Sequence, residues 1–288
     1  MREKYFLTVC TLGDRPNLIN CLNELLKIKH ASAQDIEVLL VINKAKIPHA
    51  FDSKIIVKFE EIRGYSSVRN RAVSEVSKDA NLIFIDDDEL PTLEWFNSLV
   101  SMHNKYPADV IFGPVFPELG SNSVSYREQF RTKFSNMQDG TLAKQASTAN
   151  MLIPQDLISR KLIYFDPIFN LTGSEDTDLC FRLRKKGINI RFAKAAIIYE
   201  VQSSERFEIN YLDSRYIKDI ANYSLVIRRN CSFPQKLWRF LTLVARITIH
   251  LPASFYIRSS RLNIKAHSKS LYVLISGKVV GKNSSRQN

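Results

Sequence analysis

Over its first 115 residues the chain alternates short, almost wholly apolar runs with longer segments of helical spacing. Few folds accept that alternation. KYFLTVC (4–10), IEVLLVIN (36–43), KIIVKF (54–59), LIFID (82–86) and DVIFGPV (109–115) read as strands. Between them, 15–29 carries Leu18, Ile19, Leu22, Leu25 and Leu26 at helical spacing, with Asp14 and Pro16 marking its start. A second helix is predicted over 66–77, with Val68, Ala72, Val73 and Val76 facing inward, and a third over 92–105, capped by Thr92. Strands that alternate with helices predict an α/β fold, a mostly parallel sheet flanked by helices. Further on, 120–146 reads as a helix and a mobile loop, and TANMLIP (148–154) as a strand. The next helix is expected over 175–186 with Gly187 as its C-cap, then two short strands within 188–201 and a long helix over 206–230.

Charge divides the chain where this alternation ends. The first 205 residues hold 26 basic and 26 acidic side chains, whereas the last 83 hold 15 Lys+Arg against 3 Asp+Glu and therefore the entire formal charge of +12. No acidic residue follows Asp219. This predicts a neutral catalytic unit at 1–205 and a basic, surface-seeking helical region at 206–288. It argues against a whole-protein nucleic-acid binder, and no basic stripe interleaved with stacking aromatics is present, so no nucleic-acid partner is expected. The four cysteines, Cys10, Cys21, Cys180 and Cys231, form no CxxC pair and suggest neither a zinc site nor a disulfide framework. The apolar run at the N-terminus is too short for a signal peptide, so a reducing, cytoplasmic setting is expected.

Four stretches carry chemistry. In LIFIDDDELP (82–91) an apolar strand runs into three aspartates at the end of the sheet where α/β ligand sites lie. They could cap the following helix, but three adjacent carboxylates repel unless a positive group neutralises them. A hard divalent cation, Mg²⁺ or Mn²⁺, would do so. In an extended segment Asp86 and Asp88 share one face and Asp87 takes the other. In GSEDTDLCFRLRKKG (173–187), Glu175, Asp176 and Asp178 open a helix, either as an ordinary acidic first turn with an Asp178–Arg182 pair or as a general base at a helix N-terminus. In EIRGYSSVRNRAV (61–73), Arg63, Arg69 and Arg71 are either a solvated face or a recognition site for an anion or base. In EVQSSERFEINYLDSR (200–215), Arg206 sits on a connection or on a lid that brings it to a phosphate.

Taken in order, TVCTLGDRPNL, RGYSSVRNRA, LIFIDDDELP and GSEDTDLCFRLRKKG resemble family 2 glycosyltransferases of the GT-A fold, over roughly residues 4–230. The resemblance implies a hexosyltransferase-type enzyme that moves one sugar with inversion from a nucleotide-diphosphate donor, a UDP-sugar first among them, to an acceptor hydroxyl. It implies that Asp88, with Asp86, ligates Mn²⁺ or Mg²⁺ at a DxD motif, and that Asp86 also helps hold the ribose. Thr11 and Arg15 would line the nucleotide pocket, Arg69 would contact the base with Arg63 nearby, and Arg206 would meet the pyrophosphate. Asp176 would deprotonate the acceptor, with Glu175 as the substitute. The sequence departs from the family at three places. Asn43 stands where an acidic residue for the base or ribose usually follows the second strand, and would bind the donor by hydrogen bonding in its place. Glu200 stands where many members place a metal-binding His. QSSERF does not match the QxxRW of processive synthases, which favours single-sugar transfer.

The most apolar stretch of the basic region, 237–257, is interrupted by Arg239, Arg246, His250 and Pro252. A central arginine opposes a spanning helix. The stretch is therefore expected either to lie as one amphipathic helix in the interface of an anionic membrane or to pack as a helical pair with a basic outer face on the catalytic unit. An interfacial enzyme would suit a lipid-linked saccharide acceptor in bacterial-type surface polysaccharide or glycolipid assembly, peripheral on the cytoplasmic face of the inner membrane. The competing readings are a nucleotidyltransferase, or a non-catalytic membrane- or nucleic-acid-binding module on a degenerate transferase fold.

Overall fold

The computed structural model describes residues 2–13, 16–43, 51–117, 137–201, 208–255 and 257–278. Its strands are β1 (Lys4–Thr11), β2 (Asp35–Asn43), β3 (Ile55–Glu60), β4 (Ala80–Ile85), β5 (Glu89–Leu90), β6 (Val110–Phe112), β7 (Val115–Pro117), β8 (Asn150–Ile153), β9 (Ile190–Phe192) and β10 (Ile198–Glu200). Its helices are α1 (Leu18–Ala31), α2 (Tyr65–Glu75), α3 (Leu93–Lys105), α4 (Gln155–Ser159), α5 (Glu175–Lys185), α6 (Ile209–Asn230), α7 (Phe233–His250) and α8 (Arg258–Ser276). Seven strands form one sheet in the order β3-β2-β1-β4-β8-β6-β9, and β5-β10-β7 form a second. Within the first sheet β8 runs antiparallel to both its neighbours, while the other pairs are parallel.

The period-two alternation of the strands explains why helices cover both faces. Tyr5, Leu7 and Val9 of β1 join Leu40, Ile83 and Ile85 beneath α1 and α3, where Leu22, Leu25, Trp95 and Phe96 are fully enclosed. Phe6 with Leu39, Val41, Leu82 and Phe84 packs on the opposite face against Val68 and Ala72 of α2 and Leu179 and Leu183 of α5. Each fully buried aliphatic or aromatic side chain contributes roughly 1.5–3 kcal/mol. Thr92 caps α3 as expected, accepting from the Trp95 N–H.

Three sequence expectations need correction. DVIFGPV is two strands in two sheets, because the chain turns at Gly113-Pro114. Pro114 has no N–H to offer a ladder, and a Cβ at Gly113 would lie 2.0 Å from the Ala196 carbonyl oxygen. The first helix begins at Leu18, after Asn17. The run 237–257 is not one helix: α7 stops at His250, a short turn spans Pro252–Phe255, and α8 returns. Much of 120–146, and the 205/206 boundary, lie outside the described residues.

The C-terminal helices pack on α5. Phe169 and Phe181 meet Ala221 and Leu225 of α6, Asn222 Nδ2 donates to the Thr172 carbonyl at 3.0 Å, and Asn230 Nδ2 donates to Asp178 at 2.7 Å. The helix α8 packs on both α6 and α7. Among the described residues no helix is long and apolar enough to cross a membrane.

Candidate active site

Chain order sets the place. From β1 the chain builds outward through β2 and β3, then returns to place β4 on the other side of β1. The crevice at such a reversal, outside the carboxyl ends of the strands, is where open α/β sheets bind ligands. Thr11 ends β1 there and the aspartates follow β4. The buried Thr11 hydroxyl donates to Asp87 and accepts from the Gly13 N–H at 2.9 Å, so the two strand ends are tied together across the crevice.

The acidic run is not extended, and this corrects the alternating picture of its side chains. Asp86 to Glu89 form a turn closed by Glu89 N–H to the Asp86 carbonyl at 3.3 Å. Glu89 also binds from its side chain, Oε2 accepting from the Asp86 N–H at 2.9 Å. The turn is needed because the chain must leave the first sheet and enter the second, where Glu89 and Leu90 lie antiparallel to Glu200 and Tyr199. The Val201 N–H donates to the Asp88 carbonyl at 2.7 Å. Glu200 is thereby set beside the aspartates. Asp87 and Asp88 are buried, and the Asp86 side chain is 42% exposed. Burial, then repulsion from Asp86, Glu200 and Asp88, pushes the Glu89 carboxyl well above its ordinary range.

Arg69 joins the two acidic stretches. Its guanidinium lies 3.0 Å from Glu175 Oε1 and 3.6 Å from Asp86 Oδ1, and it donates to the Tyr65 carbonyl at 3.2 Å. Burial alone would lower its pKa, but Glu175 and Asp86 outweigh that and hold it raised. The guanidinium is turned onto carboxylates, while Arg63 is exposed on the loop before α2. Glu175 is buried and its Oε2 has no hydrogen-bond partner. Burial pushes its pKa up to about 7, against the pull of Arg69. Burial also raises Asp176, which accepts from the Thr177 N–H at 2.6 Å and is less enclosed than Glu175. Asp178, in contrast, is structural: Arg182 and Asn230 both bind it. The acidic end of α5 is aimed by two successive left-handed residues, Gly173 (φ 75°) and Ser174 (φ 76°), and the serine makes no side-chain cap bond in return.

The entry to α2 is as tightly held. Gly64 has φ 147°, and a Cβ there would fall 2.2 Å from Asn170 Cβ. The Asn170 carbonyl accepts from Tyr65 N–H at 3.0 Å and its Oδ1 from Ser67 N–H at 2.8 Å. Asn43 supports the same loop: its amide donates to the carbonyls of Glu60 and Ile62 and accepts from the Gly64 N–H at 2.8 Å. The structure therefore places Asn43 behind the loop as a brace. Arg15 and Arg206 lie outside the described residues.

Among the described residues no three His, Cys, Asp or Glu side chains converge closely enough to hold a metal ion by themselves. The donors at hand are the oxygens of Asp86, Asp88 and Glu200. That set fits a hard cation held by one or two carboxylates together with ligand phosphates and water, and it does not form an all-protein cage.

Sequence reasoning missed three residues here. Glu89 looked like a flank of the acidic run, yet it clamps the turn. Asn170 has no motif signal. Asn150 receives the Trp95 indole N–H at 2.8 Å and donates to the carbonyls of Pro114 and Ala196, which joins α3 to the corner between the sheets. A polar residue at the start of an apolar strand was the available signal for it.

Comparison with known proteins bears on the fold and the family. A solved structure, the crystal structure of GalNAc-T7 with UDP, GalNAc and Mn²⁺, aligns with a TM-score of 0.56 at 11% identity, covering 77% of this chain and 48% of that one. That likeness shows the fold, and the chain spans about half the length of the protein it matches. No curated protein sequence matches the chain. The Glycosyl transferase family 2 profile matches residues 7–159, just over half of the chain. With a GT-A-like sheet, its switch-point crevice and that match together, the chain belongs to glycosyl transferase family 2.

Proposed function

We propose that this glycosyltransferase moves one sugar, with inversion, from a nucleoside-diphosphate donor to an acceptor hydroxyl. The observation that carries the reading is the buried Arg69 bridge, which fixes Asp86 at the sheet end and Glu175 at the start of α5 in one site. Asp176, less enclosed than Glu175 and not ion-paired in that bridge, takes the acceptor's proton. Glu175 holds Arg69 and so positions both. Attack from the α5 side, with the leaving diphosphate on the Asp86–Asp88 side, gives inversion. Thr11 and the exposed Asp86 border the donor's place. Asp88 and Asp86, with Glu200 beside them, would hold Mn²⁺ or Mg²⁺, which when bound neutralises the leaving diphosphate. The UDP and Mn²⁺ of the solved neighbour are the reason to begin with UDP-sugars.

The test is a thermal-shift screen of nucleoside diphosphates and nucleotide sugars, each with and without Mn²⁺, on the wild type and on Asp88→Ala. A ligand that binds the native state raises the midpoint. A cation-dependent shift for one nucleotide, lost in Asp88→Ala, supports the reading. Asp176→Asn is expected to keep that shift and to lose about 10²–10⁴-fold in turnover. The absence of any nucleotide shift in the wild type would overturn it.

A further inference from the structure

The helix α7 turns most of its large apolar side chains outward. Six large apolar side chains, Phe233, Leu237, Trp238, Leu241, Val244 and Ile249, lie along one side of it and are exposed, Phe233 by 75%, Trp238 by 70% and Ile249 by 72%. Their spacing at 100° per residue places them on one continuous arc. Only Leu243 of this helix is buried. The inward side is mixed: Leu243 and Phe240 pack with Ile227, Leu271 and Leu274, and beside them Arg239 is turned toward the neighbouring helices, its Nε 3.4 Å from the Ser224 hydroxyl and its NH2 group 3.4 Å from the Ser270 hydroxyl, over the Tyr223 ring. Ser224 and Ser270 are themselves bonded at 2.5 Å, and His250 stacks on the buried His267. A helix whose environment is water on its outer side has the opposite arrangement. The apolar side therefore belongs against something apolar.

We propose that this face docks α7 flat on an anionic lipid bilayer. Charge selects that occupant. No acidic residue follows Asp219, and α8 exposes Arg261, Lys265 and Lys269 to solvent. A groove of about 410 Å³ brings the two together, since Leu251, next after α7, shares its walls with Arg261 and Lys265. An acyl-facing surface edged by cations is what a layer of anionic headgroups over hydrocarbon recognises. Trp238, mid-face, suits the interfacial depth where indoles settle. The helix lies in the interface and does not cross it, in keeping with its length and its inward arginine. The proposal stands independently of which nucleotide the active site takes.

The chain reports on its own docking. It has two tryptophans, and Trp95 is 1% exposed and hydrogen-bonded in the core, so a change in emission on adding vesicles is assigned to Trp238. The experiment is flotation and tryptophan emission of the full chain with vesicles of phosphatidylcholine alone and of phosphatidylcholine with phosphatidylglycerol. Flotation with the anionic vesicles, a blue shift, and quenching by brominated acyl chains are expected. Leu241→Gln, at an exposed position that leaves the fold intact, should weaken binding by about tenfold or more. Arg261→Gln with Lys265→Gln should reduce the preference for anionic vesicles. No flotation with anionic vesicles, or flotation undiminished in Leu241→Gln, overturns the proposal. So does a lipid-free dimer in sedimentation equilibrium whose Trp238 emission is already blue-shifted and does not change with vesicles, since the face is then covered by a second copy.

Discussion

Two arginines, one in the catalytic unit and one in the C-terminal hairpin, are enclosed by opposite means. Arg69 is buried between carboxylates, and Glu175 and Asp86 raise its pKa although burial works the other way. Arg239 meets two serine hydroxyls and a tyrosine ring, and there burial prevails and lowers its pKa. Compensated charge holds a side chain in one place, which a site needs. An arginine with only neutral partners marks a helix whose polar side has been turned inward for another reason. In α7 that reason is the apolar outer face.

The sharpest way to break the comparison is to remove each charge. Arg69→Met leaves Glu175 buried without its partner and should lower stability by about 3–5 kcal/mol in urea unfolding. The double variant Arg69→Met with Glu175→Gln should recover most of that stability and none of the turnover. Arg239→Met, which removes a charge with no opposite partner among the described residues, should change stability by only about 1 kcal/mol in either direction. Equal losses for the two would erase the distinction.

Glycines give a second, smaller contrast. At Gly64 a methyl would meet Asn170, which is pinned by backbone bonds, so Gly64→Ala should cost about 3 kcal/mol and depress activity through α2. At Gly277, the left-handed residue that ends α8 (φ 70°), the nearest atoms are side-chain atoms of Arg228, which can shift only by disturbing its two 2.7 Å bonds to the Leu274 and Ile275 carbonyls. Gly277→Ala should cost about 2 kcal/mol, the left-handed penalty plus a displaced Arg228 cap, less than Gly64→Ala.

The two regions should also respond to pH with opposite sign. The Glu175 carboxyl is raised in the folded state from 4.5 to about 7, so its protonated form stabilises the fold. That contribution is complete below 4.5 and is lost as pH rises through about 7. Urea midpoints of wild type minus Glu175→Gln should decline over that window. Burial, followed by Arg246, Arg239 and His250, lowers His267 below 6.5, so the hairpin's contribution is present above 6.5 and is lost as pH falls. Hydrogen exchange resolved to α8 should show protection falling toward acid, the smallest effect of the set.

How much of this was legible in the sequence follows the range of each interaction. The strands, the helices and the acidic end of α5 come from local periodicity and capping and are plain in the residues. The place of the aspartates at a strand end is equally plain. Their turn is not, because it exists to deliver Glu89 to a partner strand more than 100 residues away. The break at Gly113-Pro114 depends on the approach of Ala196, and the bracing roles of Asn43, Asn150 and Asn170 depend on backbone brought near by the fold. For α7 the helical spacing reveals an apolar arc and a polar one. Which of the two faces inward is decided by what α6 and α8 offer, and beside a small apolar contact at Leu243 and Phe240 they offer the hydroxyls of Ser224 and Ser270.

Ser174 carries a consequence for how this protein can change. A serine held at φ 76° with no cap bond is about 1–2 kcal/mol less stable than a glycine would be there. A selection for heat resistance alone should therefore find Ser174→Gly early. The same change loosens the two-residue crook that aims Glu175 and Asp176, so a selection that also demands turnover should leave it aside. The position is a dial between endurance and rate, and it turns on one hydroxymethyl group.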